Sequence, residues 1–228
     1  MNASKYIFTI LFLVATSSTL FAQQFLPSEF PDRIVLTWSD DPMTTQSVTW
    51  RTSPEITDSK AQFILAPNTP IYTDSVETFD AKTEFLDVDS VQANYHSVTF
   101  EGLQPATTYA YRVGKEGTWS EWFQFTTAPQ KGTPFSFVYF GDAQNNLKSQ
   151  WSRVIRQAYS NLPKAAFMLH AGDLINRTQS DSEWGEWNYS GSFINAMIPS
   201  IATPGNHEYD RAENGTLVLD YHWKKQFT

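Results

Sequence analysis

The chain has 228 residues, 41% of them apolar and 18% charged, which excludes a disordered polymer and leaves room for one large domain or two modest ones. A net charge of −8 argues against a nucleic-acid backbone or an anionic membrane surface as partner, although bound cations could still make a phosphorylated substrate welcome. Cysteine is absent, so neither disulfides nor an acylated-cysteine anchor is expected.

Residues 1–22 have the pattern of a signal peptide. Lys5 supplies the positive start, Ile7 to Ala15 is a short apolar core broken only by Thr9, and Ala22 offers a small residue for cleavage. The apolar run falls short of the roughly 20 residues that a membrane span needs. Removing it takes away Lys5 and no acidic residue, so −8 becomes −9 in a mature, exported chain, secreted or periplasmic.

Residues 24–128 alternate with period two in short segments, as in Val48 and Trp50, Ala61 and Phe63, Val98 and Phe100, or Tyr109, Tyr111 and Val113. Such alternation, punctuated by prolines, predicts an antiparallel β-sandwich with its own core. The run Leu103-Gln-Pro-Ala-Thr-Thr-Tyr109 resembles the tyrosine corner of fibronectin type III domains. That likeness implies an Ig-like sandwich in which Tyr109 buries its ring and bonds nearby backbone.

A polar, turn-rich linker follows over 129–134, and the pattern then becomes βαβ across 135–228. Phe135–Phe140, Ala165–Leu169 and Ile198–Ala202 predict three strands. Trp151, Val154, Ile155, Ala158 and Leu162 predict a helix between the first two, and Phe193, Ala196 and Met197 a further short one. Apolar strands alternating with helices imply a mainly parallel sheet in an α/β domain.

Each strand closes on a polar tripeptide: Gly141-Asp142-Ala143, Gly172-Asp173-Leu174 and Gly205-Asn206-His207. Ligands gather at the carboxyl ends of such strands, and a preceding glycine allows a sharp turn there. Two carboxylates, an amide oxygen and an imidazole suit a pair of hard cations that would activate water and clamp a phosphate. Trp184, Trp187 and Tyr189 form either a substrate rim or a packed cluster. His96 and His170 have structural positions, and His222 is expected to pack with Trp223.

The runs Phe140-Gly-Asp142-Ala-Gln144, His170-Ala-Gly-Asp173-Leu and Pro204-Gly-Asn206-His207-Glu208 resemble the first three motifs of the calcineurin-like metallophosphoesterases. Together with the sandwich, Gly-Asn-His-Glu resembles the purple acid phosphatase branch. The resemblance implies that Asp142 binds one metal, Asp173 bridges both and Asn206 binds the second, while His207 contacts phosphate or protonates the leaving group. Two metal ions (iron, zinc or manganese) and a phosphoester substrate follow from the same likeness. Asn176 stands where the branch has its iron-binding tyrosine, which argues against a tyrosinate-type ferric centre. Gln144 replaces the usual Gly or His. The branch's later histidine motifs do not follow His207, so the chain is expected to be an incomplete, inactive N-terminal fragment of a phosphatase. The competing expectation is a secreted sandwich module for adhesion or glycan binding, with a degenerate, non-catalytic phosphoesterase tail and no metal.

Overall fold

A computed structural model describes residues 25–69 and 75–228. The expected leader, its cleavage near Ala22 and the first residue of the expected sandwich lie outside the described residues.

The N-terminal half is a sandwich of two four-stranded antiparallel sheets. Strands β1 (Asp32–Thr37), β2 (Gln46–Thr52), β3 (Lys60–Leu65), β4 (Glu77–Asp80), β5 (Lys82–Val88), β6 (Val91–Phe100), β7 (Thr108–Gly114) and β8 (Phe123–Thr126) form sheets ordered β1-β2-β6-β5 and β4-β3-β7-β8. The alternating residues meet between them. Trp50, Phe63, Phe100, Tyr109 and Phe125 are all buried, with the Phe63 ring stacked 4.7 Å from Phe100 and 4.8 Å from Tyr109. The tyrosine corner is present: Tyr109 is 7% exposed and its hydroxyl accepts the Gln104 N–H at 2.9 Å.

The second half carries β9 (Val138–Phe140), α1 (Ser152–Asn161), β10 (Met168–His170), α2 (Asp181–Gly191), β11 (Ser200–Ala202), a small hairpin of β12 (Tyr209–Arg211) and β13 (Leu217–Leu219), and the short α3 (Trp223–Gln226). Strands β9, β10 and β11 are parallel, in the order β11-β10-β9. The strands are shorter than their apolar runs. Val154 faces solvent rather than the core, and Leu147 in a π-helical turn ahead of α1 packs inward instead.

Helix α2 was not legible as a helix. Trp184 and Trp187 are fully buried, and Gly185 lies against the Phe25 ring, where a Cβ would meet Cγ at 2.5 Å. A helix buried on nearly every side leaves no amphipathic stripe to read. The two tryptophans are therefore core residues, and only Tyr189 of that trio is exposed.

The outer face of the β1-β2-β6-β5 sheet is covered by the second half. Val48 and Trp50 point into the sandwich, whereas Arg51 and Thr49 point across the junction, where Thr49 Oγ1 donates to the Gln226 carbonyl at 2.9 Å. Strand β1 serves both halves: Leu36 belongs to the sandwich core and Val35 to the α/β core. Its exposed edge is closed by a Leu36 N–H bond to the Asn195 carbonyl, which removes a free ladder edge.

A buried ion network lies in this junction. The β1–β2 register shifts between Asp32 and Val35, and Arg33 takes a positive φ of 49° at that bulge. The bulge turns the Arg33 side chain across the junction, where it meets the Asp181 carboxylate at 2.8 Å and the Tyr95 hydroxyl at 3.0 Å. Arg51 reaches Asp32 at 2.6 Å and Asp181 at 3.3 Å. His222 completes the group. It does not stack on Trp223; its Nδ1 lies 3.0 Å from Asp220 and its Nε2 3.2 Å from Asp181. Burial alone would lower the His222 pKa, but the two carboxylates outweigh it and raise the value.

Candidate metal and phosphate site

The ladder of the parallel sheet sets the site. Phe140, His170 and Ala202 are paired in register, so the three polar loops leave the sheet side by side. With strands about 5 Å apart, the Asp173 loop leaves the middle strand with the Asp142 and Asn206 loops on either flank. Backbone bonds continue past the strands: Ala171 N–H donates to Phe140 and Thr203 N–H to His170, both at 3.0 Å. The Gln144 N–H then donates to the Asp173 carbonyl at 3.0 Å, joining the first loop to the second.

The second and third loops touch through glycine. Gly172 has φ +91°, and a Cβ on it would meet the Gly205 nitrogen at 2.6 Å and its Cα at 2.7 Å. Gly205 in turn lies flat against the Asp173 carboxylate. Asp173 itself sits at φ +51°, strained for a residue with a side chain. Gly141 differs, because a Cβ there meets nothing within 4 Å and its φ is not positive. The first motif therefore does not need its glycine for the turn. Gly172→Ala should cost at least about 2 kcal/mol, whereas Gly141→Ala should stay within about 0.5 kcal/mol. Chemical denaturation of the two variants checks this, and equal losses would show that the close approach is not what requires Gly172.

Glu208 explains why the strained turn persists. It is fully buried, and its Oε2 accepts the N–H groups of Asp173 at 2.9 Å and Gly205 at 2.7 Å. Its Oε1 accepts those of Leu174 at 2.7 Å and Ile175 at 3.3 Å. One carboxylate thus clamps both loops. Burial raises its pKa, and these four donors offset part of that rise. The sequence held the signal, because Gly205 caps the single 3₁₀ turn Asn206–Glu208 and a Glu three residues after it has capping-box spacing.

The structure joins two of the expected site residues directly and sets two on the flanks. His207 N–H donates to Asp173 Oδ1 at 3.0 Å, while the Asp142 and Asn206 side chains are exposed on the neighbouring loops. The His207 ring is oriented by the Asn176 carbonyl, 2.6 Å from Nδ1. A carbonyl can only accept, so Nδ1 carries the proton and Nε2 is the ring nitrogen left for a ligand. Asn176 has its own N–H held by Glu183 at 2.7 Å. Among the described residues, no three His, Asp or Glu side chains converge on one point able to hold a cation.

The remaining histidines are structural. His170 is sealed among Phe140, Trp151 and Trp187, and burial lowers its pKa to about 3. His96 stacks on Trp50 between the hydroxyls of Thr52 and Thr83, and burial lowers its pKa to about 4. A cleft of about 880 Å³ opens at the other end of the parallel strands beside Ser136, Ala166 and Pro199, away from the polar loops.

Comparison with known proteins adds two family matches: the purple acid phosphatase N-terminal domain over residues 31–127, and calcineurin-like phosphoesterase over residues 135–226. The chain is similar to acid phosphatase type 7 of Danio rerio, 33% identical over 118 residues that make up 50% of this chain and 26% of that protein. It is also similar to purple acid phosphatase 1 of Ipomoea batatas, 32% identical over 123 residues, 51% of this chain and 25% of that protein. The chain thus spans about a quarter of the length of these relatives. Among solved structures, a purple acid phosphatase from yellow lupin (Lupinus luteus) seeds superposes with a TM-score of 0.69 at 20% identity, covering 82% of this chain and 37% of that one. PhoD superposes with a TM-score of 0.58 at 14% identity, over 82% of this chain and 41% of that one. At these identities the structural likeness speaks for the fold alone.

Proposed function

We propose that this chain, whose two halves match the purple acid phosphatase N-terminal domain and the calcineurin-like phosphoesterase family, supplies through its C-terminal half part of the site of an exported, metal-dependent phosphate-ester hydrolase. The observation that carries this reading is the in-register delivery of three polar loops to one sheet edge, with the braced Asp173 carboxylate on the middle strand.

The donor set fits the oxygen-rich part of a hard-cation pair. Besides Asp142, Asp173 and Asn206, the same loop cluster holds the Gln144 Oε1, a buried acceptor without a hydrogen-bond partner. Asp142 would hold one metal, Asn206 the other, and Asp173 both, from its central position. When bound, two such ions supply a nucleophilic hydroxide from water and charge stabilisation for the phosphoryl group. His207, with Nδ1 committed to Asn176, would use Nε2 to bond a phosphate oxygen or to pass a proton to the leaving-group oxygen. An amide at position 176 supplies no phenolate, so iron held here would lack a tyrosinate partner from this loop.

The test is a titration of the purified protein with manganese, zinc or iron, followed by p-nitrophenyl phosphate turnover in the same samples. Asp173→Ala should weaken metal uptake at least about 100-fold, since even residues that merely support ligands cost 10–100-fold. Uptake that survives Asp173→Ala would overturn the assignment, and a visible tyrosinate-to-iron band would show that another phenol reaches the metal.

A further inference from the structure

The loop 176–180 carries the carbonyl that orients His207, and buried charge fastens the back of that loop to the sandwich. Asp220 is the hub. Its Oδ2 accepts the Gln179 N–H at 2.5 Å, its own N–H donates to the Glu208 carbonyl at 2.8 Å, and its Oδ1 holds His222 Nδ1 at 3.0 Å. The other His222 nitrogen lies 3.2 Å from Asp181, the first residue of α2. Three sandwich residues hold Asp181: Arg33 and Arg51 grip its carboxylate, and Asp89 on the β5–β6 turn accepts its N–H at 3.2 Å. Ser180, at the N-cap of α2, makes no side-chain cap bond, so this cap comes from the other half of the chain.

We propose that Asp89, Arg33 and Arg51 of the sandwich, acting through Asp181, His222 and Asp220, are positioning residues for His207. The proposal rests on the reading of His207 as the phosphate-handling group, but the geometry it describes exists without substrate. From the sandwich to Gln179 every link is a direct hydrogen bond or ion pair between mostly buried side chains, and three residues of backbone complete the path to the Asn176 carbonyl, so it has few alternative arrangements. Other junction contacts bypass the loop. Lys225 pairs with Glu84 at 2.6 Å, a side-chain contact across the junction that has no hydrogen bond to the 176–180 loop, and so serves as a control.

The experiment uses the full chain without metal or substrate, so its outcome is independent of whether the hydrolase reading holds. His222→Gln should speed amide exchange at Gln179 by roughly 10-fold or more and shift the His207 ring nitrogens in NMR spectra away from the Nδ1–H pattern. The Leu174 amide, held by Glu208, should stay within about 2-fold of the parent, and Glu84→Gln should move neither reporter. If His222→Gln does not fold, Asp89→Gly gives the answer, because glycine accepts the φ of +55° there and only the cap is lost. Unchanged Gln179 and His207 signals in a folded variant would overturn the proposal. So would equal acceleration at Gln179 and Leu174, which would mean general loosening rather than positioning.

Discussion

Glu208→Ala is expected to cost at least about 4 kcal/mol, because four backbone N–H groups lose their acceptor in a buried place and each orphaned donor costs about 1–3 kcal/mol. The losses are not independent, since the same carboxylate serves all four, so the lower end of the range applies. Glu208→Gln should fall between parent and alanine, because an amide offers one acceptor oxygen and turns two donors toward the remaining N–H groups. Urea denaturation reads both values. A Glu208→Ala variant within about 1 kcal/mol of the parent would mean that other groups satisfy those amides, and that the clamp does not hold Asp173 at its positive φ.

The second large effect lies at the junction. Arg51 is fully buried, and Arg51→Met strips a cation from between Asp32 and Asp181. Removing one partner of a buried pair costs about 3–5 kcal/mol, although a fully apolar replacement of the whole group could be nearly neutral. The pH dependence has a definite sign. Burial alone would raise the Asp181 pKa, but the His222 bond and the two guanidiniums outweigh it and hold the carboxyl well below the usual range. A depressed carboxyl stabilises the fold above its unfolded value of about 3.9, and this stability is lost as pH falls toward the lower native value. The gap between parent and Arg51→Met should therefore be full near neutral pH and shrink below about pH 4. A gap that widens in acid would contradict the proposed ion network.

Much of this architecture was legible because the two halves follow different periods. Alternation exposed the sandwich, Leu-x-Pro before Tyr109 marked its corner, and glycine-bearing tripeptides closed each apolar strand. What was missed shares one physical cause, burial on more than one side. Strand β1 was legible from the alternation of Ile34, Leu36 and Trp38, but not that Val35, on its other face, enters the second core. Helix α2 buries polar Asp181, Asn188 and Ser190 along with its tryptophans, and composition alone reads such a segment as a loop. Arg33 and Arg51 look like ordinary surface charges until a bulge and a covering domain enclose them. The Glu208 role was hidden differently: an acidic residue beside presumed metal ligands invites a chemical reading, whereas its four contacts are all backbone amides.

The parallel ladder also works as a ruler. Each step along a strand is about 3.3 Å and reverses the face a side chain occupies, so spacing within β9, β10 and β11 is counted in whole residues. One residue inserted between His170 and Asp173 would put the middle carboxylate out of step with both flanking loops and with its Glu208 clamp. The same residue added beside the exposed Pro163 and Lys164, ahead of buried Ala165, would be absorbed at the surface. Indel tolerance should therefore change abruptly over the few residues from 164 to 168, where loop gives way to core and strand.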